Sequence, residues 1–305
     1  MVSPHFPPDT SAGAHRVRLL APHLPAFGWD PTVVAVEERG YEGRLDRELA
    51  TLVPDSVRVL RAGAWPAPLT RLVGVGDLGL RALPGLRRTC ARLLTQEHFD
   101  ALFITIYPTY PALLGPWLKR RFGVPFVLHY QDPWVGSWGK EVGGGPDGGP
   151  DVKSRISRAV AGQLEPHVVR AADALTAVSA RTYQDVLARV TMARPLACEA
   201  IPLGFEMHDL DALKHRPRPN PHFDAGDGLV HICYVGRVLP PGMDVWGAVF
   251  RSLALLKARR PSALQRLRLH CLGTSNQCQP NQPPRVRALA RDFGVGDAVT
   301  EAPTR

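Results

Sequence analysis

The chain has 305 residues, 45% of them hydrophobic, and a formal net charge of +9. That length suits two domains with ordinary cores, and the basic balance favours anionic partners such as nucleotide phosphates or acidic lipid surfaces. No basic tract interleaved with aromatics is present, which argues against nucleic acid. Cys90, Cys198, Cys233, Cys271 and Cys278 form no CxxC pair, which argues against a disulfide framework and fits a reducing cytosol.

Met1, Val2 and Ser3 read as the stub of a first strand, and residues 4–13 as a loop rich in Pro and Gly. Residues 14–27 place Val17, Leu19, Leu20 and Leu24 on a helical face that Pro22 and Pro25 keep short. Strands are expected over 31–36 and 57–60. A helical region over 69–94 follows, interrupted near Pro84 and Gly85. Strand and helix then alternate: strand 101–105, helix 110–122, strand 125–129, helix 153–170, strand 174–178. Ser179 is expected to cap a helix over 181–190, and a short strand 199–201 follows. Between 131 and 151 lies a loop whose glycines at 143–145 and 148–149 read as mobile.

Residues 208–228 are polar and proline-rich, and the run 216–221 suits neither helix nor ladder. The predicted domains are therefore 1–207 and 229–305, with 208–228 as linker. The second holds strand 229–235, helix 245–259, strand 267–272, helix 285–293 and a stub near Ala298 and Val299. Cys233 and Cys271, inside apolar runs, read as small core residues. Strands alternating with helices on both sides of the linker predict an α/β protein with two Rossmann-like parallel-sheet domains, the second incomplete. The amino terminus lacks a signal segment and no apolar run approaches span length, so the expected location is cytoplasmic. The basic apolar stretches 80–88 and 113–122 leave peripheral contact with the inner face of a membrane open.

Open α/β sheets bind ligands at the carboxyl ends of their strands, so residues there are the candidates. In the loop 6–16, Gly13 precedes a helix whose amides favour an anion, with Arg16 one turn inside. An ordinary turn, with Gly13 at positive φ and Arg16 solvated, is the favoured reading of these residues taken alone. His129 and Asp132 follow a buried strand, where either could accept a proton from a hydroxyl nucleophile; Asp132 before Pro133 also suits a turn. Trp134 is placed to stack on a sugar ring or to plug the rim. Gly204 and Phe205 close the first domain, with Phe205 alternatively a core residue. Gly236 with Arg237, and Gly273 with Thr274 and Ser275, end two strands that would neighbour one another and offer a cation, hydroxyls and amides to a diphosphate. Turn and cap roles are the alternative. There is no GxGxxG, no P-loop and no metal-ligand spacing among the histidines.

Taken in order, Pro7, Pro8, Gly13 and Arg16, then Gly28–Asp30, Asp132–Trp134, Ala172–Ala174 with Ser179, 201–205 and Tyr234–Arg237 resemble the family 4-like GT-B glycosyltransferases. That resemblance implies transfer of a sugar from a nucleotide-sugar donor to a hydroxyl acceptor, whether a glycan, a lipid-linked molecule or a small molecule. It implies an amino-terminal acceptor domain, a carboxy-terminal donor domain, and no cofactor or bound metal. By the same resemblance Gly13 lies near the donor phosphate, Arg237 pairs with the diphosphate and Asp132 lines the acceptor side. The family's lysine after the Gly-Arg pair is replaced by the 239–242 stretch, and its acidic pair would fall after Arg305, so a truncated form is expected. A non-catalytic sugar- or nucleotide-binding remnant and a GT-B-fold sugar-nucleotide epimerase are the alternatives.

Overall fold

The structure, a computed structural model, describes residues 1–135, 152–215, 219–238, 242–274 and 285–303. The glycines of 143–149, the 216–218 and 239–241 stretches, Ser275 and Cys278 lie outside the described residues. The described residues form two compact units, one running to Asp211 and the other beginning at Ala212.

In the first unit every strand is parallel. β1 (Thr32–Val36) pairs with β2 (Arg58–Ala62), and β3 (Leu102–Thr105), β4 (Phe126–Tyr130), β5 (Ala174–Ala177) and β6 (Ala197–Ala200) pair in that order. Val2 bridges both Val34 and Ile104 in parallel, so the Met1–Ser3 stub fills the slot between β1 and β3. Its amide donates to the Phe103 carbonyl at 2.7 Å, and the Met1 ammonium donates to the Thr32 carbonyl at 2.6 Å. Burial pushes that ammonium down to about 6.

Period-two alternation sorts the side chains of β1 between two cores. Val34 and Val36 join Ile104, Leu128 and Leu175 in one cluster, whereas Val33 and Ala35 join Phe6, Val17 and Ala21 in the other. Strands buried on both faces are what helices on both sides of a parallel sheet require. The helices of this unit are α1 (Gly13–Leu20), α2 (Arg47–Thr51), α3 (Ala67–Arg71), α4 (Leu78–Gln96), α5 (Leu114–Phe122), α6 (Val152–Ala171) and α7 (Ala180–Arg189). α8 (Met207–His215) carries the chain into the second unit and occupies part of the stretch read as linker.

Several expectations need correcting. Pro84 does not interrupt the helical region: α4 runs through it, and the break falls at 72–77, where Gly74 has φ 79°. Gly85 serves packing instead, since a β-carbon there would strike the carbonyl of Gly63. Ser179 stands at the cap position of α7, but its hydroxyl lies 3.0 Å from that of Thr182 and caps no amide. Phe205 is not a core residue; it is 74% exposed.

The second unit is a parallel sheet in the order β7 (Val230–Val235), β8 (Leu267–Leu272), β9 (Val299–Ala302), packed by α9 (Met243–Arg259), α10 (Pro261–Gln265) and α11 (Arg285–Asp292). Phe250, Leu269, Cys271, Val286 and Val299 form its core. Cys233 is exposed on β7, contrary to the core role expected of it. β7 is an edge strand, and Val230, Ile232 and Val235 on it are exposed too.

Candidate functional site

The first unit builds its candidate site at the carboxyl ends of β3 and β4, beside the start of α1. The loop before α1 is fixed from within. Asp9 accepts from the Ser11 hydroxyl and lies 2.5 Å from His5 Nδ1. Burial works to raise the Asp9 carboxyl, but the bonds from His5 and Ser11 outweigh it and hold the group below its ordinary value. Arg61 donates to the carbonyls of Pro7 and Val36 and ties the loop to the sheet. Gly13 then opens α1 without positive φ, because its requirement is space: Tyr107 packs where its β-carbon would be.

Arg16 is 4% exposed and donates to the carbonyls of Ile201 (2.6 Å) and Pro202 (3.3 Å). A guanidinium placed so braces the end of β6 against α1 and is neither solvated nor turned to an anion. Its Nε is buried without a partner, and burial lowers its pKa. His129 points into the same interior. It is fully buried, with Nδ1 2.9 Å from the Thr176 hydroxyl and its ring stacked on Phe103. Burial first, and then the charge of Arg16, push this imidazole down to about 3, so at neutral pH it is an uncharged core group.

Two residues later the chain emerges. Gln131 Nε2 donates 2.9 Å to the carbonyl of Ala12, just ahead of α1, while its Oε1 is buried without a partner. Asp132 is exposed, and partial withdrawal from water raises its carboxyl above the ordinary value. A raised, accessible carboxyl is suited to taking a proton from a hydroxyl. Trp134 is 6% exposed and meets the Tyr110 ring edge-on with centroids 6.3 Å apart. It plugs the rim. Gly204 has open space around its α-carbon and, like Phe205, stands exposed past β6.

In the second unit the two expected strand ends do lie together. Val235 pairs with Leu272, the Gly236 amide donates 2.9 Å to the Leu272 carbonyl, and the Val238 amide donates 3.0 Å to the Thr274 carbonyl. Gly273 takes φ 72°, a conformation that favours glycine. The Arg237 side chain is exposed and has no hydrogen bond or ion pair among the described residues. Thr274 is buried, and its hydroxyl donates 2.5 Å to Glu301, whose other oxygen accepts the Arg287 amide in the first turn of α11 at 2.8 Å. That hydroxyl therefore serves the fold. Gln131, Tyr107 and Glu301 were not anticipated from sequence. Gln131 sits inside the motif that drew attention to Asp132, whereas the others are placed only by long-range packing.

Residues 11–204 match the family described as Glycosyl transferase 4-like domain. Among solved structures, Anabaena Alr3699/HepE in complex with UDP and glucose has a TM-score of 0.53 at 16% identity, covering 100% of this chain and 70% of that one. The trehalose-6-phosphate synthase OtsA has a TM-score of 0.57 at 13% identity, covering 100% and 73%. The Candida albicans trehalose-6-phosphate phosphatase N-terminal domain has a TM-score of 0.51 at 12% identity, covering 90% and 65%. No curated protein sequence matches the chain. The structural likenesses establish an α/β fold of the GT-B kind, and the family match over most of the chain establishes that it belongs to the 4-like glycosyltransferases.

Proposed function

We propose that the second unit takes a nucleotide-sugar donor and the first a hydroxyl acceptor, with a sugar passing between them. The observation that carries this is Arg237: an exposed guanidinium without a partner among the described residues, on a strand end hydrogen-bonded to its neighbour beside Gly273. A departing nucleoside diphosphate gains negative charge in the transition state, and a fixed cation and amides aimed at it lower the barrier. HepE, of similar fold, has been captured with UDP and with UDP-glucose, which makes a uridine diphosphate sugar the first donor to try. Asp132 takes the acceptor's proton, and Arg237 supplies the cation, so the reading needs no resident metal.

The acceptor is a glycan, a lipid-linked molecule or a small molecule. Among the described residues no helix is long and apolar enough to cross a membrane. Work at the cytoplasmic face, with peripheral contact where the acceptor carries a lipid, fits the basic charge of the chain. The exposed apolar residues of β7 leave binding without turnover as a second reading.

Titration calorimetry of the whole chain with UDP and UDP-glucose, followed by an assay for released UDP, tests the proposal. Saturable binding with UDP release supports the enzyme, and binding alone supports the second reading. No binding of any of a panel of nucleoside diphosphates and their sugars would sink both.

A further inference from the structure

The carboxylate of Glu165, on α6, is 1% exposed, in an interior where an ion is retained only if several groups compensate it. It accepts the Tyr130 hydroxyl at 3.2 Å and Arg189 Nη2 at 3.1 and 3.4 Å, and the backbone N–H of Val135 adds a further favourable contact. Tyr130 is the last residue of β4, and Val135 lies five positions on. One side chain thus grips the chain on both sides of the segment 131–134. Asp132 is the only ionisable residue between the two grips. Inside them, Gln131 is tied to Ala12 and Trp134 is packed against Tyr110, which leaves Asp132 as the side chain free to meet a ligand.

We propose that Glu165 is the positioning residue for Asp132: it fixes the path of the 131–134 segment through Tyr130 and Val135, and Arg189 offsets its charge. The inference rests on reading Asp132 as the proton acceptor. Proton transfer tolerates little displacement of the accepting oxygen, so a buried clamp around an exposed carboxylate is useful where a solvated loop would not be. Burial raises the Glu165 carboxyl, while Arg189, Tyr130 and Val135 act to lower it.

Amide hydrogen exchange of the whole chain tests the clamp directly. In Glu165→Ala the amide of Val135 should exchange about tenfold faster or more, while those of β3 and β5 keep their protection. Glu165→Gln retains an acceptor oxygen for Tyr130 and Val135 and should stay within about threefold of the parent. Unchanged exchange at Val135 in Glu165→Ala, or a uniform rise across the sheet, overturns the inference.

Release of UDP from UDP-glucose, with water as acceptor, gives the second readout. Glu165→Ala should lower kcat with little change in KM, and should add nothing in an Asp132→Asn background. A full additional loss in that background also overturns the clamp. Undiminished turnover in Asp132→Asn removes instead the role of Asp132, so the two failures are distinguishable.

Discussion

A β-carbon on Gly13 would collide with Cδ1 at the edge of the Tyr107 ring, whose Cε1 and Cγ stand 3.0 and 3.2 Å from that point. The ring cannot simply swing away, because it also packs on His5 with centroids 5.4 Å apart. The close approach of β3's end to the first turn of α1 therefore depends on a bare α-carbon. Gly13→Ala should destabilise the first unit by about 1–3 kcal/mol through overpacking, more than the gain of about 1 kcal/mol in helix propensity. Urea unfolding checks this; a variant as stable as the parent would show that Tyr107 yields freely.

His129 gives a pH dependence of known sign. Its ordinary value is 6.5 and in the fold it is pushed down to about 3, so the unfolded chain binds the proton more readily. Stability from the neutral ring is complete above pH 6.5 and is lost as pH falls towards 3. The slope from this one group is about 1.4 kcal/mol per pH unit inside that window. Unfolding free energies measured from pH 7 to pH 4 should fall more steeply for the parent than for His129→Gln. Parallel profiles would mean the imidazole is already charged in the fold.

Arg237 and Thr274 should separate binding from folding, although both stand at the same strand ends. Removing a charge-assisted contact costs about 1.5–3 kcal/mol, so Arg237→Ala should weaken UDP binding by about tenfold or more and leave stability unaltered. Thr274→Val strips a donor from Glu301 and should cost about 1–2 kcal/mol of stability with UDP affinity intact. Calorimetry and thermal unfolding of the two variants decide the matter, and exchanged phenotypes would reverse the assignment.

Asp132→Asn keeps the shape of the segment and removes the proton acceptor. Turnover should drop by about 100-fold or more, the usual contribution of a positioned base, while UDP-glucose binding stays near the parent value. The raised carboxyl also predicts that the acidic limb of the rate profile lies above the ordinary aspartate value of 3.8. Turnover that survives the substitution would mean another group takes the proton.

Much of the architecture was legible. The apolar runs at 31–36 and 101–105 announced strands because burial on both faces of a parallel sheet leaves few polar positions, and 229–235 announced one through its β-branched residues although that strand lies exposed at an edge. The neighbouring of Val235 and Leu272 followed from the same logic. Pro84 misled because its missing N–H did not stop α4. Cys233 misled because an apolar sequence does not say whether its strand lies at an edge.

The chain's own letters determined two parallel α/β units and the strand ends where chemistry would lie, since strand and helix periodicity is a property of neighbours in sequence. Tertiary structure alone decided which side chains there are free. Arg16 reaches carbonyls 185 and 186 positions away, and Glu165 meets a hydroxyl 35 positions away. Such partners are chosen by how sheets and helices pack, so a cation read as a ligand in sequence becomes a brace in the fold, while Asp132 and Arg237 stay exposed.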